Sequence, residues 1–196
     1  MIQTKHDLKH YLSEDLKRFD NRKPNIKDWI LRNEVWFIWK YIYTLRHLEF
    51  YKNNKNNKNA LMYYYYFYKY KRLCYQTKVD IKPNNLGPGF RLMHLGSLVR
   101  IKKNCSIGNN CTILPGVVIG NKHLNEDNSF VNIGDNCYIG LGVKIFGNVT
   151  IGNNVTIGAN AVVTHDIPDN AIVGGIPAKI IKYKNNEESS CCCDFT

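Results

Sequence analysis

The sequence predicts a mainly β fold, a parallel β-helix with an α-helical region in front of it. In the second half of the chain, an aliphatic residue recurs at every sixth position, in two runs separated by a gap. These residues are Ile101, Ile107, Ile113, Ile119, Ile133, Ile139, Ile145, Ile151, Ile157 and Val163. Small or β-branched residues keep the same step four positions later: Cys105, Cys111, Val117, Cys137, Val143, Val149, Val155 and Ala161. A fixed short period is typical of a solenoid, in which stacked coils share one apolar core.

Residues 1–79 are predicted to form a basic, aromatic-rich helical region. Apolar residues recur at helical spacing early in the chain, at Leu8, Leu12 and Leu16. A broad apolar stripe then runs from Trp29 to Leu45 with basic residues between its members, and residues 61–75 predict a second long helix. We expect the aromatic run of that helix to pack against the solenoid.

The solenoid domain is predicted to span residues 80–184, with the coils proper starting near Leu95. The repeat is interrupted at residues 121–132, which predicts a loop that projects from a corner. Insertions in a solenoid gather on one face, and this is often the binding face. Residues 185–196 are expected to form a flexible C-terminal tail.

The charge of the chain is concentrated in its first part. Residues 1–79 hold 17 Lys and Arg against 7 Asp and Glu, whereas residues 80–196 hold 10 against 9. A basic surface can meet nucleic acid, an anionic membrane or an acidic glycan carrier, or it can simply be solvated. No nucleic-acid-binding motif is visible, so we expect no nucleic-acid partner. No signal peptide or membrane span is recognisable either, which predicts a cytoplasmic protein, with peripheral contact at the inner membrane face left open.

The cysteines are better explained as packing residues than as ligands or nucleophiles. Cys105, Cys111 and Cys137 occupy the small inward position of the repeat, where a free thiol acts as a small apolar group. The triplet at 191–193 has no readable role. We expect no metal.

The sharpest local signal lies just before the first coil of the repeat. Leu95 is six positions before Ile101, so it is expected to point inward. Alternation along a strand then turns His94 outward. An outward imidazole beside Gly87 and Gly89 is poorly explained by core packing, which makes His94 the candidate catalytic residue.

These motifs resemble those of the hexapeptide-repeat acyltransferases, in the branch of serine acetyltransferases and polysaccharide O-acetyltransferases. The stretch 79–83 (Val-Asp-Ile-Lys-Pro) precedes His94 as in that family, 140–148 resembles its cofactor-side coil, and 174–179 resembles its closing motif. The resemblance covers about residues 78–184. It implies a left-handed β-helix that assembles as a homotrimer, with a neighbour's coil completing each site.

The resemblance also implies direct acetyl transfer from acetyl-CoA. His94 would act as general base on the acceptor hydroxyl, since an unperturbed imidazole titrates near neutral pH. Asp80 matches the carboxylate that orients this histidine. The candidate cofactor-binding residues are Gly140, Gly142, Lys144, Ala159, Lys179 and Lys182.

The acceptor is less clearly specified. The family's serine acetyltransferases carry an Asp directly before the catalytic histidine, but this chain has Met93, and its interrupted repeat contains Asn121 and His123 without the family's loop motif. We take Met93, Asn121 and His123 as candidate substrate-binding residues. Without a carboxylate at position 93, the site is less suited to bind the ammonium group of serine. The expected acceptor is therefore a hydroxyl of a sugar or polysaccharide. The alternatives are serine O-acetylation, a γ-class carbonic anhydrase and a non-catalytic scaffold.

Overall fold

The computed structural model describes residues 1–19, 23–56, 58–121 and 129–184. Four helices come first: α1 (Lys5–Lys17), α2 (Ile26–Ile30), α3 (Glu34–Asn53) and α4 (Ala60–Thr77). Thr4 caps α1 and Asn25 caps α2. Each cap side chain accepts a hydrogen bond from a backbone N–H of the first helical turn, and the acid three residues later, Asp7 or Asp28, accepts one from the backbone N–H of the cap residue. The predicted helical region is confirmed. No helix in these ranges combines the length and apolar character needed to cross a bilayer.

The strands form three sheets, the faces of a left-handed parallel β-helix. Sheet A contains β1 (Val79–Ile81), β3 (Val99–Ile101), β6 (Val118–Gly120), β9 (Lys144–Phe146) and β12 (Val162–Val163). Sheet B contains β4 (Cys105–Ile107), β7 (Val131–Ile133) and β10 (Val149–Ile151). Sheet C contains β2 (Arg91–Leu92), β5 (Thr112–Ile113), β8 (Tyr138–Ile139), β11 (Thr156–Ile157), β13 (Ala171–Gly174) and β14 (Lys179–Tyr183).

The core of the solenoid is the column of repeated aliphatic residues. Every one of them, from Ile101 to Val163, is at most 2% exposed. Cys105, Cys111 and Cys137 are buried free thiols beside this column, as predicted.

The first coil begins earlier than the sequence suggested. Strand β1 pairs with β3 in register, Ile81 beside Ile101, and Leu92 pairs with Ile113. Leu92 therefore holds the inward position that the six-residue step predicted for Leu95. Leu95 itself is only partly buried against the core. The step from Leu92 to Ile101, the next residue of the repeated aliphatic column, is nine residues instead of six. Three extra residues thus enlarge the turn that contains His94.

A buried ion cluster attaches the helices to this first coil. The Arg46 guanidinium on α3 bonds to Asp15 of α1 at 2.8 Å and to Glu49 at 3.2 Å, and all three side chains are at most 2% exposed. Arg46 also donates to the carbonyl oxygens of Leu86 and Gly87. These bonds fix the position of α3 against the solenoid.

Candidate active site

One corner of the β-helix brings together Met93, His94, Gly140, Gly142 and Ala159 from the predicted site residues. The C-to-A corner is the stack of turns that lead from sheet C to sheet A, residues 93–98, 114–117, 140–143 and 158–161, together with the β13–β14 turn, 175–178, which bonds to Val162 at the end of the stack. His94 lies in its enlarged first turn, and the glycines of the predicted cofactor-side coil lie in its third. With strands spaced ~4.8 Å apart, the five turns extend over about 19 Å.

His94 points outward, as predicted, and its side chain is 59% exposed. Its Nδ1 atom lies 2.7 Å from Oε1 of Glu34, the first residue of α3. The backbone N–H of Leu95 donates to the other carboxylate oxygen of Glu34 at 3.2 Å. Glu34 thus bridges the imidazole and the backbone of the same turn.

Asp80 has a different environment from the one predicted. Its carboxylate accepts hydrogen bonds from Lys82 Nζ at 2.8 Å and from the Tyr70 hydroxyl at 2.9 Å. Partial burial raises the pKa of Asp80, but these two hydrogen bonds and the positive charges of Lys82 and Lys71 together outweigh it, so the pKa lies below its ordinary 3.8. The geometry therefore corrects the predicted Asp80–His94 pair, because Asp80 sits on the outer side of β1, in sheet A, and the carboxylate at the imidazole is Glu34.

The predicted cofactor residues fall into three groups. Gly140 and Gly142 are required by coil stacking, because a β-carbon on Gly140 would lie 2.6 Å from the Ile157 oxygen and Gly142 has a φ of +72°. Lys144 donates to the carbonyl oxygens of Gly116 and Gly142 at 2.6 and 2.8 Å, so its ammonium is committed to the backbone. Ala159, Lys179 and Lys182 are exposed, and Lys179 pairs with Gly174 at the far end of the corner.

Two of the predicted substrate residues, Met93 and Asn121, lie at different corners of the protomer. Met93 adjoins His94 in the C-to-A corner. Asn121 follows β6 at the next corner, where its side-chain oxygen accepts from Lys102 at 2.9 Å and from Ser129 at 3.0 Å. His123 lies outside the described residues.

Comparisons with known proteins agree with this fold and place it among acyltransferases. Residues 130–165 match the family model described as "Bacterial transferase hexapeptide (six repeats)", and residues 98–122 match "Hexapeptide repeat of succinyl-transferase". A serine acetyltransferase of Staphylococcus xylosus is 40% identical over 127 residues, 62% of this chain and 58% of the relative. The chain thus spans little more than half the length of that relative.

Two solved structures cover more of the chain. A serine acetyltransferase of Neisseria gonorrhoeae has a TM-score of 0.72 at 26% identity, over 95% of this chain and 71% of that one. A serine acetyltransferase from Brucella abortus in complex with coenzyme A has a TM-score of 0.70 at 27% identity, over 92% and 70%.

These findings correct the predicted acceptor. The expectation of a sugar or polysaccharide hydroxyl is wrong, because the matching relatives and structures are serine acetyltransferases. The sequence argument relied on the missing carboxylate at Met93, but Glu34 supplies a carboxylate at His94 from sixty residues away. The repeats, the fold and these similarities together make the chain similar to the hexapeptide-repeat acyltransferases, in their serine acetyltransferase-like branch.

Proposed function

We propose that this chain is a serine O-acetyltransferase, which transfers the acetyl group of acetyl-CoA to the hydroxyl of L-serine. The observation that carries the proposal is His94, an outward imidazole with a carboxylate on one nitrogen and its other edge directed to solvent. The similarity to serine acetyltransferases supports the choice of substrates.

In the proposed reaction, Nε2 of His94 accepts the proton of the serine hydroxyl while the oxygen attacks the thioester carbonyl carbon. The resulting tetrahedral intermediate collapses with cleavage of the carbon–sulfur bond. The departing thiolate takes the proton back from His94, so the products are O-acetyl-L-serine and CoA. A positioned general base of this kind contributes about 10²–10⁴-fold to the rate.

The C-to-A corner is the proposed path of acetyl-CoA. Its length of about 19 Å leads from His94 to the last turn of the solenoid. Lys179 is exposed at that end and is the candidate partner for the CoA phosphates, with Lys182 on the same strand. Lys144 is not proposed for this role, because its ammonium already bonds to two carbonyl oxygens.

We include a homotrimer in the proposal. The C-to-A corner exposes large apolar side chains: Leu98 is 50% exposed, Leu141 49% and Ile176 75%. Exposed apolar surface at one location is typical of an interaction site. A neighbouring protomer would cover it, complete the site at His94 and bring a second corner, such as that of Asn121, towards it.

The direct test is to incubate the purified protein with acetyl-CoA and ¹³C-labelled L-serine and to detect labelled O-acetylserine by mass spectrometry. His94→Ala is expected to reduce the initial rate by about 10²–10⁴-fold. His165→Ala is the matched control, since it removes an exposed imidazole from another corner, and it should leave the rate unchanged. Absence of O-acetylserine, or equal rates for wild type and His94→Ala, would overturn the proposal.

A further inference from the structure

We infer that Glu34 is the positioning residue of the active site, so that the helical region supplies the carboxylate that holds His94 in its reactive tautomer. The inference rests on the proposed function and assigns to α3 a role that the family resemblance implied for Asp80.

The tautomer follows from the contact itself. An ionised carboxylate only accepts hydrogen bonds, so the 2.7 Å contact between Glu34 Oε1 and His94 Nδ1 requires a proton on Nδ1. A neutral imidazole then carries its lone pair on Nε2. Among the described residues no side chain is hydrogen-bonded to Nε2, which leaves this nitrogen to accept a proton from a substrate hydroxyl.

The orientation of the carboxylate is fixed at both of its oxygens. While Oε1 holds the imidazole, Oε2 accepts from the backbone N–H of Leu95 at 3.2 Å. The Glu34 side chain therefore cannot rotate without losing a bond to the turn that it orients. The charge of Glu34 is also favourable where it stands, because the N-terminus of a helix stabilises an anion.

The helix that carries Glu34 is itself firmly placed. Before Glu34, the side chain of Asn33 donates to Asp28 at 3.0 Å and its backbone N–H donates to the carbonyl oxygen of Asp28. Three turns later on α3, Arg46 bonds to Leu86 O at 2.8 Å in the first coil. A carboxylate on a helix that is anchored just before its first residue and again at Arg46 meets the requirement that a catalytic group be positioned by rigid neighbours.

Asp80 provides the matched comparison. Its carboxylate is also near the first coil, but Lys82 and Tyr70 occupy it. Glu34→Ala and Asp80→Asn therefore remove a carboxylate at comparable positions, only one of which contacts His94.

The test has two readouts. Long-range ¹H–¹⁵N NMR of histidine-labelled protein reports the tautomer of His94 without any turnover, with His94→Ala assigning the signal. We expect the Nδ1–H form in the wild type and in Asp80→Asn, and a mixture shifted towards Nε2–H in Glu34→Ala.

Kinetics provide the second readout. Glu34→Ala is expected to lower kcat at least ten-fold relative to the wild type, while the KM for acetyl-CoA stays within two-fold and the melting temperature is unchanged. Asp80→Asn is expected to keep kcat within three-fold of the wild type. An unaltered tautomer in Glu34→Ala would overturn the inference even if the enzyme acetylates serine. An altered tautomer with no serine acetylation in the wild type would instead leave the inference standing and refute the proposed function.

Discussion

Arg46 on α3 and Asp15 on α1 form a fully buried ion pair, with Nε and Oδ2 2.8 Å apart and both side chains 0% exposed. Asp15 also accepts from the backbone N–H of Phe90 in the first coil at 3.0 Å. This pair joins two helices to the solenoid, and through α3 it determines where Glu34 meets His94.

Removing Arg46 should destabilise the protein strongly. Arg46→Ala leaves the carboxylates of Asp15 and Glu49 buried without their partner, and breaking such a pair costs about 3–5 kcal/mol. Chemical denaturation at pH 7 measures the loss. The control is Lys17→Ala, which breaks the exposed pair with Glu14 and should change the free energy of unfolding far less than Arg46→Ala does. Equal effects of the two substitutions would contradict the role of the cluster.

Asp80 should stabilise the fold only above acidic pH. Because its folded pKa lies below the ordinary 3.8, its contribution is present above pH 3.8 and is lost as the pH falls through the folded value. The difference in unfolding free energy between wild type and Asp80→Asn should thus be constant from pH 5 to pH 7 and shrink as the pH falls below 3.8. A difference that stays the same at pH 3 would show that the Lys82 and Tyr70 bonds do not lower this pKa.

Gly142 should not tolerate a side chain. At its φ of +72°, alanine is strained, and the new β-carbon would collide with the Asn160 side chain. We expect Gly142→Ala to cost at least ~1–2 kcal/mol in thermal or chemical unfolding. Gly120→Ala is the control, because its nearest neighbour is the movable Phe146 ring at 3.4 Å. The stacking explanation fails if both alanines are tolerated equally.

Cys105 should be almost inert in the folded protein. Burial raises the pKa of the Cys105 thiol to about 12 from an ordinary 9.0. At pH 8 this leaves about a thousand-fold less thiolate than an ordinary cysteine, and the thiolate is the reactive form. Alkylation at pH 8 followed by peptide mass spectrometry should label Cys105 only after denaturation. Rapid labelling of the native protein would indicate that this part of the core opens readily.

Lys179 should contribute to acetyl-CoA binding. Lys179→Ala is expected to raise the KM for acetyl-CoA about five-fold at unchanged kcat, which corresponds to ~1 kcal/mol for an exposed charge pair. The matched control is Lys103→Ala, an exposed lysine at a different corner. An equal KM for both variants would remove Lys179 from the proposed path.

The periodic part of the fold could be predicted from the sequence because each coil repeats the same local rule. Ile145 or Ile157 is buried for the same reason as its neighbours, so the pattern alone identifies the core. The rule fails where the chain departs from the period. Leu95 fits the six-residue step, yet Leu92 is the residue in register with Ile113, because the turn before Ile101 holds three extra residues.

The site could be predicted only in part. His94 points outward as predicted, but not by alternation from Leu95, because Leu92 holds the inward position and His94 lies in the enlarged turn after it. Glu34 was missed because no local pattern links it to a residue sixty positions away. The only available signal was an acid at the start of a helix, which also has an ordinary explanation in the helix dipole. The error about the acceptor came from a different inference, which took Met93 in place of a carboxylate as evidence against an amino-acid substrate.

The measurement that tests the account most directly is a double-mutant cycle on O-acetylserine formation with wild type, His94→Ala, Glu34→Ala and the double variant. If Glu34 acts through His94, the double variant should be no slower than His94→Ala alone, and all variants should be much slower than the wild type. Rate losses that multiply would contradict the account, since Glu34 and His94 would then act independently.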